Sequence, residues 1–285
     1  MPTEATTTAV KSTSRRTEPA TTTHRQTLGR AIRSEWIKLR TLRSTWIGMG
    51  ALVLLWVGLG AIASAVSTGS VTTGEQGGGF VSGDPLRTVL TADFAAVLLV
   101  GVLGAQAGAR EYGSRMILAT IAAVPRRWQV VVSKVIVLTG VLLPTALIGV
   151  LAAFGVGMAI LSAGDKATVA LTDDGVLRSV LGMAGYLTAV ALMGLGLGVL
   201  LRSVASSIGV LIGGVMVLPT LAGALLPASL DSVLKFLPSS AGAAFTTVMG
   251  AGDEVLSPTA GALVLAAWVA VTLGASVLAI TRRDA

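Results

Sequence analysis

The chain has 285 residues, of which 53% are hydrophobic and only 12% charged, with a net charge of +7. Soluble domains run about 45–50% apolar but about 25% charged, so too few charges are present to clothe a water-soluble globule. An ordinary soluble enzyme is excluded, and the absence of cysteine removes disulfides, thiolate nucleophiles and cysteine metal sites.

Residues 1–27 are rich in Thr, Ser and Arg and hold His24, the single histidine. They have no apolar core and no small-residue cleavage site, so they read as a disordered cytoplasmic tail rather than a cleaved signal. Residues 28–285 read as one transmembrane domain. It opens with LGRAIRSEWIKLRTLRSTW, in which Leu28, Ile32, Trp36, Leu39, Leu42 and Trp46 recur at helical spacing on one face. Arg30, Arg33, Lys38, Arg40 and Arg43 populate most of the remainder. A basic amphipathic helix with Trp on its apolar side is expected to lie in the membrane interface, its cations near anionic headgroups. The plainer alternative is a positive flank that only orients the first span.

Charge-free runs then mark the membrane, because an ionisable group in hydrocarbon is costly. They cover 44–74, 94–109, 135–164, 179–201, 203–230 and 255–281. A bilayer core needs about 20 apolar residues, and five of the six runs reach that length unaided. The run 94–109 does so only if its helix starts near Thr88 and takes in Asp93. The expectation is an all-α integral membrane protein with six spans, at about 45–66, 88–109, 135–161, 179–201, 204–226 and 259–280.

With the N-terminus inside, 17 of the 21 bases fall on inner segments, leaving Arg87, Lys166, Arg178 and Lys235 outside. That asymmetry places both termini of the multi-pass membrane protein in the cytoplasm.

Among the polar connections, 110–134 carries the most information. REYGSR is followed by MILATIAAVP, an apolar stretch too short to cross a bilayer, and then by RRWQVVVSK. Such a stretch lies on the membrane or plugs into a soluble partner's groove, and Pro125 ends any helix at or before Val124. Glu111 is the single acid of this basic segment; a local ion pair with Arg110 or Arg115 is its plain reading. Outside, 67–87 reads as flexible, and 162–178 is too short for a domain. The stretch 227–258, broken at Pro238 and Gly250, predicts short helices dipping into the outer leaflet.

Catalytic signatures are missing. No GxxxxGK[ST] loop, GxSxG or HExxH occurs, and GLGLG at 194–198 sits inside a span, where glycine serves close helix approach. The chain is expected to be no enzyme and to hold no cofactor or metal. Asp93 is the one candidate relay acid, placed about one turn into the second span and readable as a wetted interfacial carboxylate. Pro144 and Pro219 are expected to kink or loosen the third and fifth spans. A wall of Ala, Val, Leu and Gly suits a lipophilic or amphipathic cargo. No small-xxx-small seam stands out among so many glycines.

SEWIKLRTLRSTW at 34–46, REYGSRMILATIAAVPRRWQVVVSK at 110–134 and KFLPSSAGAAF at 235–245 resemble segments of actinobacterial ABC-2 type transporter permeases, in order and in topological placement. Ile121 stands where that family usually has Leu. The resemblance covers about residues 30–283. It implies an interfacial connecting helix at 28–44, including Trp36, Lys38, Arg40 and Arg43. It further implies an ATPase-coupling element formed by Glu111, Tyr112, Gly113, Ser114 and Arg115, continuing to Arg126 and Arg127. ATP would then be bound and hydrolysed by a separate subunit, and two permease chains, identical or different, would complete the transporter, with no nucleic-acid partner. The alternatives are an ion-coupled secondary transporter and a non-transporting membrane anchor or immunity protein.

Overall fold

The computed structural model describes residues 27–71, 83–113, 127–225, 231–248 and 256–282, and the elements among them are all helical. The proposed tail lies outside the described residues. Among the described residues, six helices are long and apolar enough to cross a membrane.

Helix α1, Leu28–Thr41, ends at Leu42, whose extended backbone separates it from α2, Arg43–Ser67. The joint is braced from both sides. The Trp46 indole N–H donates to the Arg40 carbonyl at 3.0 Å, and the Thr41 hydroxyl donates to Ile37 and Lys38, satisfying carbonyls that a helix end leaves without partners. At 25 residues α2 is about 37 Å long, enough to cross the hydrocarbon layer.

The second span departs from expectation at its start. Asp84 caps a five-residue helix α3, Pro85–Val89, accepting from the Leu86 N–H at 2.9 Å with Pro85 at the first helical position. Helix α4, Asp93–Gly113, starts afresh after a turn at Leu90–Ala92, so Thr88 belongs to α3 instead of the span. Leu86, Thr88 and Val89 are buried where α3 packs on α2 and the third spanning helix. Glycines admit it: a Cβ on Gly60 would come within 2.6 Å of the Val89 carbonyl oxygen, and one on Gly157 within 2.5 Å of the Val89 side chain.

The third span, α5, is Trp128–Ala163; it begins seven residues earlier than the charge-free run suggests, because Lys134 lies within the helix. It continues through Pro144 without a break in the helix. Helix α6, Val176–Leu201, is entered through Gly175 and left through Arg202, both in left-handed conformations. The fifth span is a helix in three pieces: α7, Val204–Ile212, a π-helical turn Gly213–Val217, and α8, Leu218–Leu225. Pro219 lies just past the π turn, where its missing N–H removes one donor from the helical ladder. The loosening expected of Pro219 thus takes the form of a π turn. Two short helices, α9 at Asp231–Leu234 and α10 at Pro238–Thr246, precede the last span, α11, Pro258–Arg282. The Trp268 indole of α11 holds the connection between them, donating to the Phe236 carbonyl at 2.9 Å.

Helix α6 forms the centre, with 67% of its most apolar window buried, against 17% for the fifth and sixth spans, which face outward. It packs on α4, α5, α10 and α11, while α2 packs along α5. Trp56, Leu52, Leu142, Leu187 and Leu195 are fully enclosed between these helices. The α4–α6 contact is a small-xxx-small seam that the sequence pattern does not single out. Gly104 and Gly108 face Gly194 and Gly198, and a Cβ on either of the first two would overlap the Ala191 or Leu195 carbonyl. One on Gly194 or Gly198 would lie 2.8 or 2.7 Å from the carbonyl oxygens of Gly101 and Ala105. Without hydrophobic drive between helices in lipid, such backbone approach supplies the packing that holds them.

Candidate functional site

At the end of the bundle that carries α1, three helices bring four charged side chains together. Glu35 and Lys38 are three residues apart on α1; Glu111 lies in the last turn of α4; Lys134 lies in the second turn of α5. Lys38 Nζ meets Glu35 Oε1 at 2.6 Å and Glu111 Oε1 at 2.9 Å. Lys134 Nζ meets Glu35 Oε2 at 2.9 Å and Glu111 Oε1 at 2.7 Å. Each ammonium bridges both carboxylates, so the four form a closed ring without net charge.

Burial gives the ring its energetic weight. Glu35 and Glu111 are each 8% exposed and Lys134 7%, whereas the Lys38 side chain keeps 35% of its surface. Charges so enclosed persist only when paired, and removing one partner leaves another uncompensated. Burial pulls the Lys38 pKa down, but hydrogen bonds and attraction from Glu35 and Glu111 outweigh it and hold the group above its ordinary value.

Neighbouring contacts gather the other connections into the same layer. Arg110 donates to the Ser44 hydroxyl at 3.4 Å, tying α4 to the start of α2. Arg202, at the end of α6, lies 5.3 Å from the Tyr112 ring, within cation–π range. Arg127 donates to the Ile280 carbonyl at 3.2 Å, joining the start of α5 to the end of α11. The two ends of the segment 114–126 and the last turn of the chain's final helix therefore share one end of the molecule with α1.

Beneath the ring lies a cavity of about 340 Å³ between α1, α2, α4 and α5. Glu35, Lys38, Arg110, Glu111 and Lys134 line its polar side. Met49, Leu103, Val137 and Leu138 line its apolar side, a helical turn or two deeper along the spans. The chemistry on offer is recognition and mechanical linkage, with no nucleophile–base pair among these groups.

Several expectations meet the structure here. Glu111, Tyr112 and Arg127 lie in the layer just described, and Gly113 is the exposed end of α4. Ser114, Arg115 and Arg126 lie outside the described residues. Glu111 reaches lysines 73 and 23 residues away in sequence, partners beyond the local ones that its position suggests, of which Arg115 lies outside the described residues. Lys38 is turned into the ring instead of outward to headgroups; Arg40 and Arg43 remain exposed. The buried side of α1 is Ala31 and Glu35, while Trp36 is 42% exposed and Ile37 52%, turned toward the surroundings. Sequence reasoning passes over Glu35, yet a signal exists: it is the single acid between Glu18 and Glu75, amid bases, with a lysine three residues on. Asp93 is the first residue of α4 instead of one turn inside it, and its carboxylate accepts from the Phe94 N–H at 2.7 Å. A carboxylate at a helix N-terminus is favoured by the backbone dipole.

A family described as "ABC-2 family transporter protein" matches residues 31–226, well over half of the chain. No curated protein matches it.

Proposed function

The chain belongs to the ABC-2 transporter family, and from that premise we propose that it is the membrane permease of an exporter driven by a separate ATP-binding subunit. The ATPase docks at the end bearing α1 and the charge ring, and its contact is the segment from Glu111 to Arg127. The positive asymmetry of the inner segments supports placing this end in the cytoplasm, with both termini there. A second permease chain completes the pathway, and the apolar spans favour a lipophilic or amphipathic cargo.

One observation carries the reading. The ring joins α1 to the two helices, α4 and α5, that flank the segment 114–126. A push delivered to that segment by a partner is therefore transmitted to the interfacial helix and to three spans together. Nucleotide binding moves a membrane protein only by favouring one of its conformations over another, and a rigidly clamped helix group is a suitable element to bias.

The test is co-expression with a candidate ATPase, purification, and assay in inverted vesicles. The expected result is co-purification, permease-stimulated ATP hydrolysis and ATP-dependent uptake of a lipophilic dye. Arg126→Glu should abolish the stimulation while membrane insertion is retained. Dye movement that follows an imposed ion gradient and ignores ATP would overturn the proposal in favour of ion coupling.

A further inference from the structure

The cavity beneath the charge ring holds two uncharged polar groups that the ring does not use. Thr45 of α2 and Gln106 of α4 both line it. Arg110 meets Ser44, and a Cβ on Gly48 would lie 2.8 Å from the Leu103 side chain, so the two helices run antiparallel in a fixed register. Thr45 comes three residues before Gly48 and Gln106 three after Leu103; each therefore stands one turn nearer the ring, on the same face and at the same level. Among the described residues, neither side chain makes a hydrogen bond. The other polar groups of the wall are engaged. Lys38 and Lys134 bond to Glu35 and Glu111, Arg110 to the Ser44 hydroxyl, and the Thr41 hydroxyl to the Ile37 and Lys38 carbonyls. Gln106 offers two N–H donors and a carbonyl, and Thr45 a hydroxyl that donates and accepts. An amide inside a span is costly without a partner, and this one faces a cavity. Deeper along the same helices and α5, Met49, Leu103, Val137 and Leu138 continue the wall with apolar side chains alone. At about 340 Å³ the space lies at the lower end of the roughly 300–1,000 Å³ typical of small-molecule pockets.

We propose that this cavity binds an uncharged single-chain amphiphile whose head both donates and accepts hydrogen bonds, of the monoacylglycerol class. The head lies between Thr45 and Gln106, and the chain runs along Met49, Leu103, Val137 and Leu138. A neutral head fits because the groups left to bond it are neutral, whereas an ionic head would compete with contacts that the charged side chains already make. The apolar wall supplies the burial that glycerol alone lacks. Occupancy requires neither ATP nor a second permease, so its test stands apart from the question of energisation.

The full chain in lipid nanodiscs is irradiated with a monoacylglycerol carrying a diazirine in its chain, and labelled residues are mapped by peptide mass spectrometry. Nanodiscs replace non-ionic detergent, which is itself an uncharged amphiphile. Label should fall on Met49, Leu103, Val137 and Leu138 and be displaced by plain monoacylglycerol. The methyl ester of the same fatty acid, which accepts but does not donate, should displace it about tenfold less well, and glycerol not at all; tenfold corresponds to about 1.4 kcal/mol, the size of one hydrogen bond. Gln106→Leu exchanges an unpartnered amide for an apolar side chain of similar size, and should keep the fold while weakening labelling about tenfold or more. Thr45→Val, the second variant should the first fail to fold, should weaken it in the same direction. Label confined to outward residues such as Leu54 and Ile62, labelling indifferent to these substitutions, or displacement by an alkyl phosphate of the same length as effective as that by monoacylglycerol would each overturn the proposal.

Discussion

Replacing Lys134 with Met is the most informative single change. Its ammonium touches Glu35 at 2.9 Å and Glu111 at 2.7 Å, and its side chain is 7% exposed. Without it the enclosed cluster carries a net charge of −1, shared by two carboxylates that retain only Lys38 as a ring partner. Breaking a buried ion pair from one side costs about 3–5 kcal/mol, most of it the penalty on the charge left behind. Glu111→Gln should fall in the same range with the opposite imbalance. The double variant is the decisive one: with both replaced, the ring shrinks to the Glu35–Lys38 pair at 2.6 Å and is neutral again. It should therefore cost less than the sum of the two single variants, with a coupling of about 1–3 kcal/mol between residues in contact. Equilibrium unfolding of the purified chain in mixed detergent measures all four proteins. Additive single effects, or a Lys134→Met variant within about 0.5 kcal/mol of the parent, the scatter expected of an ordinary surface change, would refute the reasoning.

Three further outcomes follow from the same structure. Gly108→Val puts a branched side chain against the Leu195 carbonyl and should cost about 1–3 kcal/mol through forced separation of α4 and α6, whereas Gly140→Ala, with nothing near its Cβ, should be neutral or gain up to about 1 kcal/mol; unfolding midpoints distinguish them. Pro219→Ala restores a donor beside the π turn at Gly213–Val217, so amide exchange across that turn should slow; unchanged exchange would show that the turn is set by packing instead. Lys38 has its folded pKa raised above the ordinary 10.5, so the stability it contributes is fully present below that pH and is lost as pH climbs through the raised value. Thermal unfolding from pH 9 to 12 should show a decline that Lys38→Met removes.

What is legible in the sequence, and what is not, divides along the range of the interactions. Long uncharged runs locate six spans because the cost of charge in lipid is a local rule. The same rule misplaces two starts. It sets the second span near Thr88, since hydropathy does not register the turn at Leu90–Ala92, and it begins the third at residue 135, since a lysine with two carboxylate partners is tolerated inside a helix. Glu111 stands out because it is an acid alone in a basic segment. Its partners do not, because the pairing of Lys38 with Lys134 through two glutamates depends on how α1 is folded back over α4 and α5. The α4–α6 seam escapes for the opposite reason: 35 glycines make every helix a candidate, and only the tertiary approach selects Gly104, Gly108, Gly194 and Gly198.

The distance along the chain between Glu35 and Lys134, 99 residues, imposes an order of events during synthesis. At about 5–20 residues per second, the N-terminal helix waits roughly 5–20 s after leaving the ribosome before its final counter-ion has been made. Until then its glutamate has Lys38, three residues on in the same helix, as its partner from the ring. Insertion of the third span thus works as a late latch, closing over a segment that arrived first.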